Sequence, residues 1–340
     1  MGRDLALLIP EIAVLLAAVS ALIAEILRRP RASLVLAMLG LFVATGLTIR
    51  LVGTDTTVFG GSFRIDALSI WAKLILLPAT MLSLLLASAE VRGTVREGTV
   101  YSLLCLATVG ALILAGAGDM MFLVLGLLLT SLATFALVAY PDDDPATEAA
   151  MKYFVFGSVA GAVMIFGLTY WFGAAGSTMI ADLEGTEAIP LAVIFGLVAV
   201  IVGLGYKASL VPFHFWVPDA YEGGPLSVAA FLSVVPKVGA LFALTQVFRD
   251  LPSESGGPAV IAGLAVLSMT YGYLAALVQD NVVRLLAYSS IAQSGYFLLG
   301  IVALGESSFA LPSIIFFAAA YAAQRALRAI QARRARFAAA

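Results

Sequence analysis

The sequence contains few charged residues, one cysteine and one histidine. Aspartate, glutamate, lysine and arginine make up 12% of its 340 residues, and the net charge of −2 offers no basic footprint for nucleic acid. The lone Cys105 lies in an apolar run, which excludes an internal disulfide and indicates a packing role. With only Cys105 and His214 available, we expect this chain to hold no haem, zinc or iron–sulfur cluster by itself.

Apolar residues dominate what remains. They account for 62% of the chain, and the mean hydropathy is +1.04. A soluble domain could not bury that much apolar surface, so the composition predicts an all-α polytopic membrane protein in a lipid bilayer. Runs long enough to cross a bilayer lie near 5–27, 33–52, 67–88, 98–117, 119–139, 150–172, 190–212, 226–247, 258–278, 283–304 and 308–327. We therefore predict about eleven transmembrane helices joined by short connections.

Loop cations are distributed unevenly between the two sides of these spans. One side would carry Arg28, Arg29, Arg31, Arg92, Arg96, Lys152, Arg284, Arg325, Arg328, Arg333, Arg334 and Arg336. The other side would carry only Arg3, Arg50, Arg64 and Arg249. Because cytoplasmic loops are enriched in lysine and arginine, we expect the first side and the C-terminus to be cytoplasmic. The N-terminus would then lie outside a cell (inner) membrane.

The stretch at 203–225 combines a long apolar run with residues that interrupt helices. Read as one helix, 190–221 would have about 32 residues and a length of roughly 48 Å, against ~30 Å for the hydrocarbon core of a bilayer. Pro212 lacks an N–H group and crowds the carbonyl of Ala208, so we expect the seventh helix to break there. Transporters use broken helices to build ion sites, and Lys207 lies at this break.

Lysine is rare in this chain and is concentrated inside the spans. Of the nineteen cations only four are lysine, and Lys73, Lys207 and Lys237 all fall within predicted spans, where a buried charge is costly. Arginine stays protonated, whereas a buried lysine can release its proton near neutrality. Lys207 and Lys237, near helix breaks, are therefore predicted to transfer protons. Lys73, near a span end, is expected to snorkel or to bind a carbonyl group.

Other polar and aromatic residues surround the break. Asp219 and Glu222 are expected to be solvated acids of a cytoplasmic loop. His214 could pass protons, but a satisfied interfacial histidine is the favoured interpretation. Three large aromatic residues are interpreted as anchors at the membrane interface, namely Tyr206, Tyr221 and Trp216.

The tenth span carries a polar face made of Ser290, Gln293 and Ser294, which are spaced to share one side of a helix. In a lipid bilayer that face must point into the protein. There it would either form hydrogen bonds between helices or line a water-filled path. Both readings stay open from the residues. We name His214, Gln293 and Ser290 as a possible proton path.

Three segments carry a family resemblance: KASLVPFHFWVPDAYEGGP at 207–225, FLSVVPKVGALFAL at 231–244 and RLLAYSSIAQSGYFLLG at 284–300. They resemble the subunit N family of the respiratory NADH–quinone oxidoreductase (complex I), which is related to cation/proton antiporter subunits. The resemblance covers about residues 98–320. It implies fourteen helices with two inverted five-helix repeats, each containing a broken helix. It also implies that a glutamate on the fifth span pairs with Lys207 and that Lys237 passes the signal or the proton onward.

The chain departs from this pattern at several positions. Leu128 stands where the resemblance implies the glutamate, Gln293 where a histidine is common, and Val283 where a lysine is common. Glu11 and Glu25 on the first span are the acids that could compensate, and both are interpreted as span-end residues. The last apolar run gives way to an Arg/Ala stretch, so the resemblance implies a chain truncated after about eleven spans.

The resemblance also implies a division of the chain. We expect a three-span segment at 1–97 and a first antiporter-like repeat at 98–250. A partial second repeat would occupy 251–327, followed by a basic tail at 328–340.

The function implied is that of a non-redox membrane subunit of a proton-translocating NADH–quinone oxidoreductase. Lys207 and Lys237 would couple electron transfer from NADH to quinone to proton movement across the membrane. NAD, FMN, iron–sulfur clusters and quinone are expected in partner subunits of the complex, and no cofactor or metal is expected in this chain. Two alternatives stay open: a subunit of a monovalent cation/proton antiporter, and a degenerate remnant with only a structural role.

Overall fold

The computed structural model describes residues 2–94, 96–183, 191–251 and 256–339. A two-stranded antiparallel hairpin, β1 (Thr56–Val58) and β2 (Phe63–Ile65), precedes the fourth helix. The helices are α1 (Gly2–Leu7), α2 (Ile9–Ile26), α3 (Pro30–Arg50), α4 (Ala67–Glu90), α5 (Glu97–Ala115), α6 (Met120–Val138), α7 (Asp144–Ala175), α8 (Leu191–Ala208), α9 (Trp216–Gly223), α10 (Leu226–Phe248), α11 (Gly257–Leu277), α12 (Val282–Val302) and α13 (Ala310–Ala339).

Eleven of the described helices, α2 to α8 and α10 to α13, are long and apolar enough to cross a membrane. They confirm the predicted all-α polytopic fold and its number of spans. The sixth span starts earlier than the predicted 150, because Asp143 accepts a hydrogen bond from the Ala146 N–H (2.8 Å) and caps α7. The predicted start of the seventh span at 190 lies outside the described residues.

Among the described spans, α10 is the most enclosed: 94% of its most apolar window is buried. It packs against α4, α5, α8, α12 and α13. Small residues permit the close approach, since a Cβ added at Gly239 would lie 3.0 Å from the backbone of Ala111 on α5. Lys237, in the middle of α10, therefore lies inside the protein and not in lipid.

Gly272 on α11 packs directly against α12. An added Cβ would lie 2.6 Å from the backbone nitrogen of Ala292, so the two helices would have to move apart. We expect Gly272→Ala to lower the free energy of unfolding by about 1–3 kcal/mol, measured by thermal unfolding in detergent. Gly263→Ala is the matched control, because a Cβ at Gly263 on the same helix meets nothing within 4 Å. Equal losses in both variants would contradict this packing explanation.

Ion pairs define two ends of the helix bundle. Arg249, which follows the end of α10, binds Asp66, and we call this end the Asp66 face. Arg284 and Lys152 both bind Asp219 shortly before α10 begins, and we call this end the Arg284 face. The 23 residues of α10 run from one face to the other. These contacts place Arg249 apart from Arg284 and Lys152, as the distribution of cations in the sequence predicts.

Charged groups fasten the β-hairpin to the end of α10 on the Asp66 face. Asp66 caps α4 by accepting a hydrogen bond from the Ser69 N–H (2.8 Å), and it also binds Arg249. Arg64 of β2 binds Asp250 in the same cluster. The hairpin is therefore held to the core helix by two ion pairs.

This cluster makes stability depend on acid. Burial raises the pKa of Asp66, but the charge of Arg249 and the hydrogen bond from Ser69 lower it more, so that the pKa lies below the ordinary 3.8. A carboxyl whose pKa is depressed by folding stabilises the protein above its unfolded pKa, and this contribution is lost as the pH falls. We expect the melting temperature to decline below about pH 3.8, and to decline less in Asp66→Asn. The exposed Asp55→Asn serves as the control; an identical acid response in Asp66→Asn would contradict the assignment.

Arg325, which the sequence places among the cytoplasmic cations, has a buried side chain. It was expected on a cytoplasmic segment, yet it is 5% exposed and donates to the carbonyl of Leu286 on α12 (3.0 Å). The reason is that α13 continues as a helix through this low-hydropathy stretch and packs on α4, α10 and α12. The side chains of three other predicted tail cations lie outside the described part of the chain: Arg333, Arg334 and Arg336.

Candidate functional site

The predicted interruption of the seventh span is present. Helix α8 ends at Ala208 and α9 begins at Trp216, and Ser209 between them takes a φ of 64°. The interruption begins before Pro212, because that residue has no N–H to donate to the Ala208 carbonyl. Ser294 of α12 donates to this carbonyl instead (2.8 Å). The tenth span therefore satisfies the backbone group that the break leaves free.

Lys207 lies at the end of α8 with its side chain fully buried. Its Nζ donates to the hydroxyl groups of Tyr153 (2.9 Å), Ser131 (3.1 Å) and Thr134 (3.2 Å). It also lies 5.2 Å from the centroid of the Tyr153 ring, where the aromatic face attracts a cation. Hydroxyl groups accept hydrogen bonds from an ammonium and can donate to a neutral amine. This hydroxyl cage (Ser131, Thr134 and Tyr153) can therefore hold Lys207 in either protonation state.

Leu128, the position of the implied glutamate, does not point into this cage. It is 42% exposed and lies with Leu125 and Leu132 on the outer side of α6. Ser131, one turn further along α6, is buried and contacts Lys207. In the described part of the chain, no carboxylate forms an ion pair with Lys207.

Lys73 forms a buried ion pair that the sequence reading missed. Its Nζ lies 2.7 Å from Glu11 Oε1, so it joins α4 to α2. The prediction that Lys73 snorkels or binds a carbonyl is wrong, because helix packing places an acid within reach. Glu11 thus neutralises Lys73 and not Lys207, while Glu25 accepts a hydrogen bond from the Gly98 N–H (3.0 Å). The sequence did contain a signal for this ion pair: one acid and one lysine lie on separate early spans, and each alone would be costly in a membrane.

Lys237 is held by α12. Its Nζ donates to the backbone oxygen of Ser290 (3.0 Å) and to the Ser290 hydroxyl. That hydroxyl also lies 3.0 Å from the hydroxyl of Tyr321 and 3.4 Å from that of Tyr221. Tyr321 in turn donates to the carbonyl of Ser233 on α10 (2.9 Å). Ser290, named in the predicted path, therefore contacts this lysine directly.

Helix α9 touches the surroundings of both lysines. At its start, the Trp216 ring stacks on Tyr153 with centroids 4.2 Å apart and planes at 19°. The Trp216 Nε1 donates to the carbonyl of Tyr206 (3.0 Å). Near its end, Tyr221 approaches the Ser290 hydroxyl. One short helix therefore links the Lys207 cage to the hydrogen-bond partner of Lys237.

The interpretation of the three aromatic residues near the break as interface anchors is wrong. Tyr206, Trp216 and Tyr221 are all buried. Tyr206 and Trp216 pack against the ring of Tyr153, and Tyr221 approaches the Ser290 hydroxyl, so these aromatic groups lie around the two lysine sites. Tyr153 was not singled out at all, since a tyrosine in an apolar run resembles any packing residue until its partner on another helix is known.

The remaining members of the predicted proton path lie apart from the lysines. The prediction of a satisfied interfacial histidine is wrong: His214 is buried against Tyr271, and its Nδ1 has no hydrogen-bond partner among the described residues. Gln293 donates to the hydroxyl of Tyr273 on α11 (3.2 Å). The structure thus brings Ser290 to Lys237, and it connects neither His214 nor Gln293 to a lysine by a hydrogen bond within the described chain.

The acids after the break belong to a network on the Arg284 face and are not simply solvated. Arg284 donates to Asp219 (3.0 Å) and Glu222 (2.7 Å), and Lys152 binds Asp219 (2.9 Å) and Glu148 (2.7 Å). These five side chains line an open cavity of about 290 Å³ next to α9. The described residues contain no cluster of three or more histidine, cysteine or acidic side chains able to hold a metal ion.

Comparison with known proteins gives consistent matches. A family model described as NADH:quinone oxidoreductase/Mrp antiporter, TM matches residues 117–333. NADH-quinone oxidoreductase subunit N of Mycobacterium sp. (strain JLS) is 40% identical over 275 residues, which is 80% of this chain and 59% of that protein. The protein of the same name from Desulfovibrio desulfuricans is 40% identical over 317 residues, or 88% and 63%.

Solved structures share the fold. A chain of respiratory complex I from Thermus thermophilus with bound aureothin superposes with a TM-score of 0.82 at 29% identity, covering 94% of this chain and 69% of that one. The chain spans only 59% of the length of the Mycobacterium relative and 63% of that of the Desulfovibrio relative.

Proposed function

Because the chain belongs to the NADH:quinone oxidoreductase/Mrp antiporter membrane family, we propose that it is a membrane subunit of a proton-translocating NADH–quinone oxidoreductase. The observation that supports this most is the burial of Lys207 and Lys237, each hydrogen-bonded to neutral groups. A charged amine without a counter-ion is costly at membrane depth, by about 2.5–3.5 kcal/mol on insertion scales. Its protonation state therefore responds strongly to charges that change nearby.

The proposed path begins at the Arg284 face. A proton enters beside α9, through the cavity lined by Asp219 and Glu222. It protonates the neutral amine of Lys207, which becomes an ammonium. When that ammonium releases the proton, the amine is restored and the hydroxyl cage donates to its lone pair. Energy released by electron transfer in partner subunits would drive these changes through electrostatic coupling.

Onward transfer follows α9. The groups in order are Tyr153 in the cage, Tyr221 near the end of α9, and Ser290 against Lys237. Tyr153 and Tyr221 are not hydrogen-bonded to each other in the described chain. We therefore propose that water entering along α9 completes the route, since a buried polar gap can be bridged by ordered water.

Orientation and organisation belong to the same proposal. The excess of lysine and arginine on the Arg284 face supports a cytoplasmic location for it, with the N-terminus outside. Residues 98–250 form the first antiporter-like repeat and end at the central helix α10, and 251–327 form part of a second repeat. The three-span segment at 1–97 and the basic tail at 328–340 flank them. NAD, FMN, iron–sulfur clusters and quinone would be held by partner subunits.

Purification of the tagged full chain from its native membranes tests the proposed function. We expect quinone-reducing subunits and NADH-oxidising activity to accompany it. Recovery with other antiporter subunits and no quinone reductase would favour the monovalent cation/proton antiporter instead. Recovery of the chain without any partner complex would leave only a structural role.

Tyr153→Phe is expected to slow proton translocation by about tenfold, because it removes a hydrogen bond to a charged amine worth about 1.5–3 kcal/mol. The phenylalanine ring keeps the stacking contact with Trp216, so the fold should be retained. Tyr170→Phe is the matched control on the same helix, with a side chain that is 46% exposed. Proton uptake by vesicles during NADH oxidation measures both variants. Equal rates would show that the Tyr153 hydroxyl is not needed.

A further inference from the structure

Arg325 is buried with most of its hydrogen-bonding capacity unused. A guanidinium carries five N–H donors and is always charged in proteins. The Nη1 group donates to the carbonyl of Leu286, while Nε and Nη2 have no hydrogen-bond partner among the described residues. In the same described chain, no acidic side chain forms an ion pair with Arg325. A fixed positive charge buried in the bundle therefore lacks a counter-ion, which is a costly arrangement unless something else supplies one.

A narrow groove with an enclosed volume of about 60 Å³ runs past this guanidinium and is open along one side. The charged residues in its described lining are Arg325 and Arg328. The lining includes Leu226 and Val282, which are the first residues of α10 and α12. The groove therefore lies near the Arg284 face of the bundle. Its walls are otherwise mainly apolar, and include Leu226, Ala229, Ala230, Val282, Val283 and Leu286.

We propose that this groove binds an anionic phospholipid, with the phosphate at Arg325 and Arg328 and an acyl chain along the apolar walls. Phosphate oxygens match the fork of a guanidinium and can satisfy both its free nitrogens. Basic pockets between transmembrane helices at the cytoplasmic interface are sites of this kind. The apolar walls favour a lipid over free phosphate, because free phosphate would leave them uncovered.

The proposed site adjoins the Lys237 site. The Arg325 guanidinium lies 5.1 Å from the ring of Tyr321, whose hydroxyl contacts the Ser290 hydroxyl that binds Lys237. A bound phosphate would offset the positive charge of Arg325 and so change the electrostatic environment of Lys237. This consequence rests on the proposed function, whereas the binding site itself does not.

Lipid titration of the purified full chain, followed by native mass spectrometry, tests the site. The probes are phosphatidylglycerol and zwitterionic phosphatidylcholine with the same acyl chains. We expect phosphatidylglycerol to bind more tightly, and Arg325→Gln to weaken it by about tenfold or more, with little change for phosphatidylcholine. Arg31→Gln is the control, because it removes an exposed cation outside the groove.

Three results would overturn the proposal. The first is equal binding of the two lipids by the unaltered chain. The second is an equal loss in Arg31→Gln, which would reduce the effect to net charge. The third is displacement of phosphatidylglycerol by inorganic phosphate at similar concentration, which would assign the site to free phosphate. If Arg325→Gln fails to fold, Arg328→Gln at the same groove is expected to weaken phosphatidylglycerol binding, and unchanged binding would count against the site.

Discussion

Replacing Lys207 with methionine in the assembled membrane complex is expected to lower the rate of proton translocation by roughly a hundredfold, the scale of losing a proton-transfer group. Methionine fills a similar volume but cannot exchange a proton. Lys207→Arg is expected to fail as well, because a guanidinium stays protonated and cannot release its charge. Loss of proton translocation in both variants would show that position 207 must exchange a proton and that a positive charge there is not sufficient.

The fold should survive the change to methionine. The hydroxyls of Thr134 and Tyr153 already lie 3.0 Å apart, so they remain hydrogen-bonded when the amine is removed. Translocation is measured with a pH-sensitive dye in vesicles while NADH oxidation is followed in parallel. Arg50→Met, which removes an exposed cation, is the control. An unchanged rate of proton translocation in Lys207→Met would leave this residue a structural role only.

Removing one partner of the Lys73–Glu11 pair is expected to lower the free energy of unfolding by about 3–5 kcal/mol, the largest stability effect we expect for this chain. Either Lys73→Met or Glu11→Gln leaves a buried group whose charge has lost its partner at 2.7 Å. The double variant removes both charges, so its loss should be smaller than that of either single variant. Unfolding of the four proteins in detergent provides the double-mutant cycle.

The surface pair Lys152–Glu148 is the control for this cycle. Its side chains are 43% and 68% exposed and four residues apart on one helix. Such pairs contribute about 0.2–0.5 kcal/mol. Additive losses at Lys73 and Glu11 would contradict the ion pair, whatever the size of the single effects.

The environment of Lys207 differs from the one implied by the family resemblance. A lysine paired with a glutamate could change its proton affinity when the pair opens and closes. In this chain the cage consists of hydroxyl groups, and Leu128 faces outward on α6. A carboxylate introduced at Leu128 would start from the outer surface and would have to reach inward past Ser131.

Whether the role of a residue could be predicted from the sequence depended on where its partners lie. Lys207, Lys237 and Ser290 could be singled out because a polar group inside an apolar run is a local signal. Tyr153 and Arg325 could not, because their roles depend on groups on other helices.

By itself, the sequence determined that the described chain is helical with about eleven membrane spans, that the seventh is broken by Pro212, and that lysines lie inside the bundle. These are local properties, set by hydropathy over about twenty residues and by the missing N–H of proline. Only the tertiary structure decided that Glu11 neutralises Lys73, that hydroxyl groups surround Lys207, and that α9 connects the two lysine sites. Such contacts join residues far apart in the chain, and they follow from which helix faces pack together, which no single segment specifies.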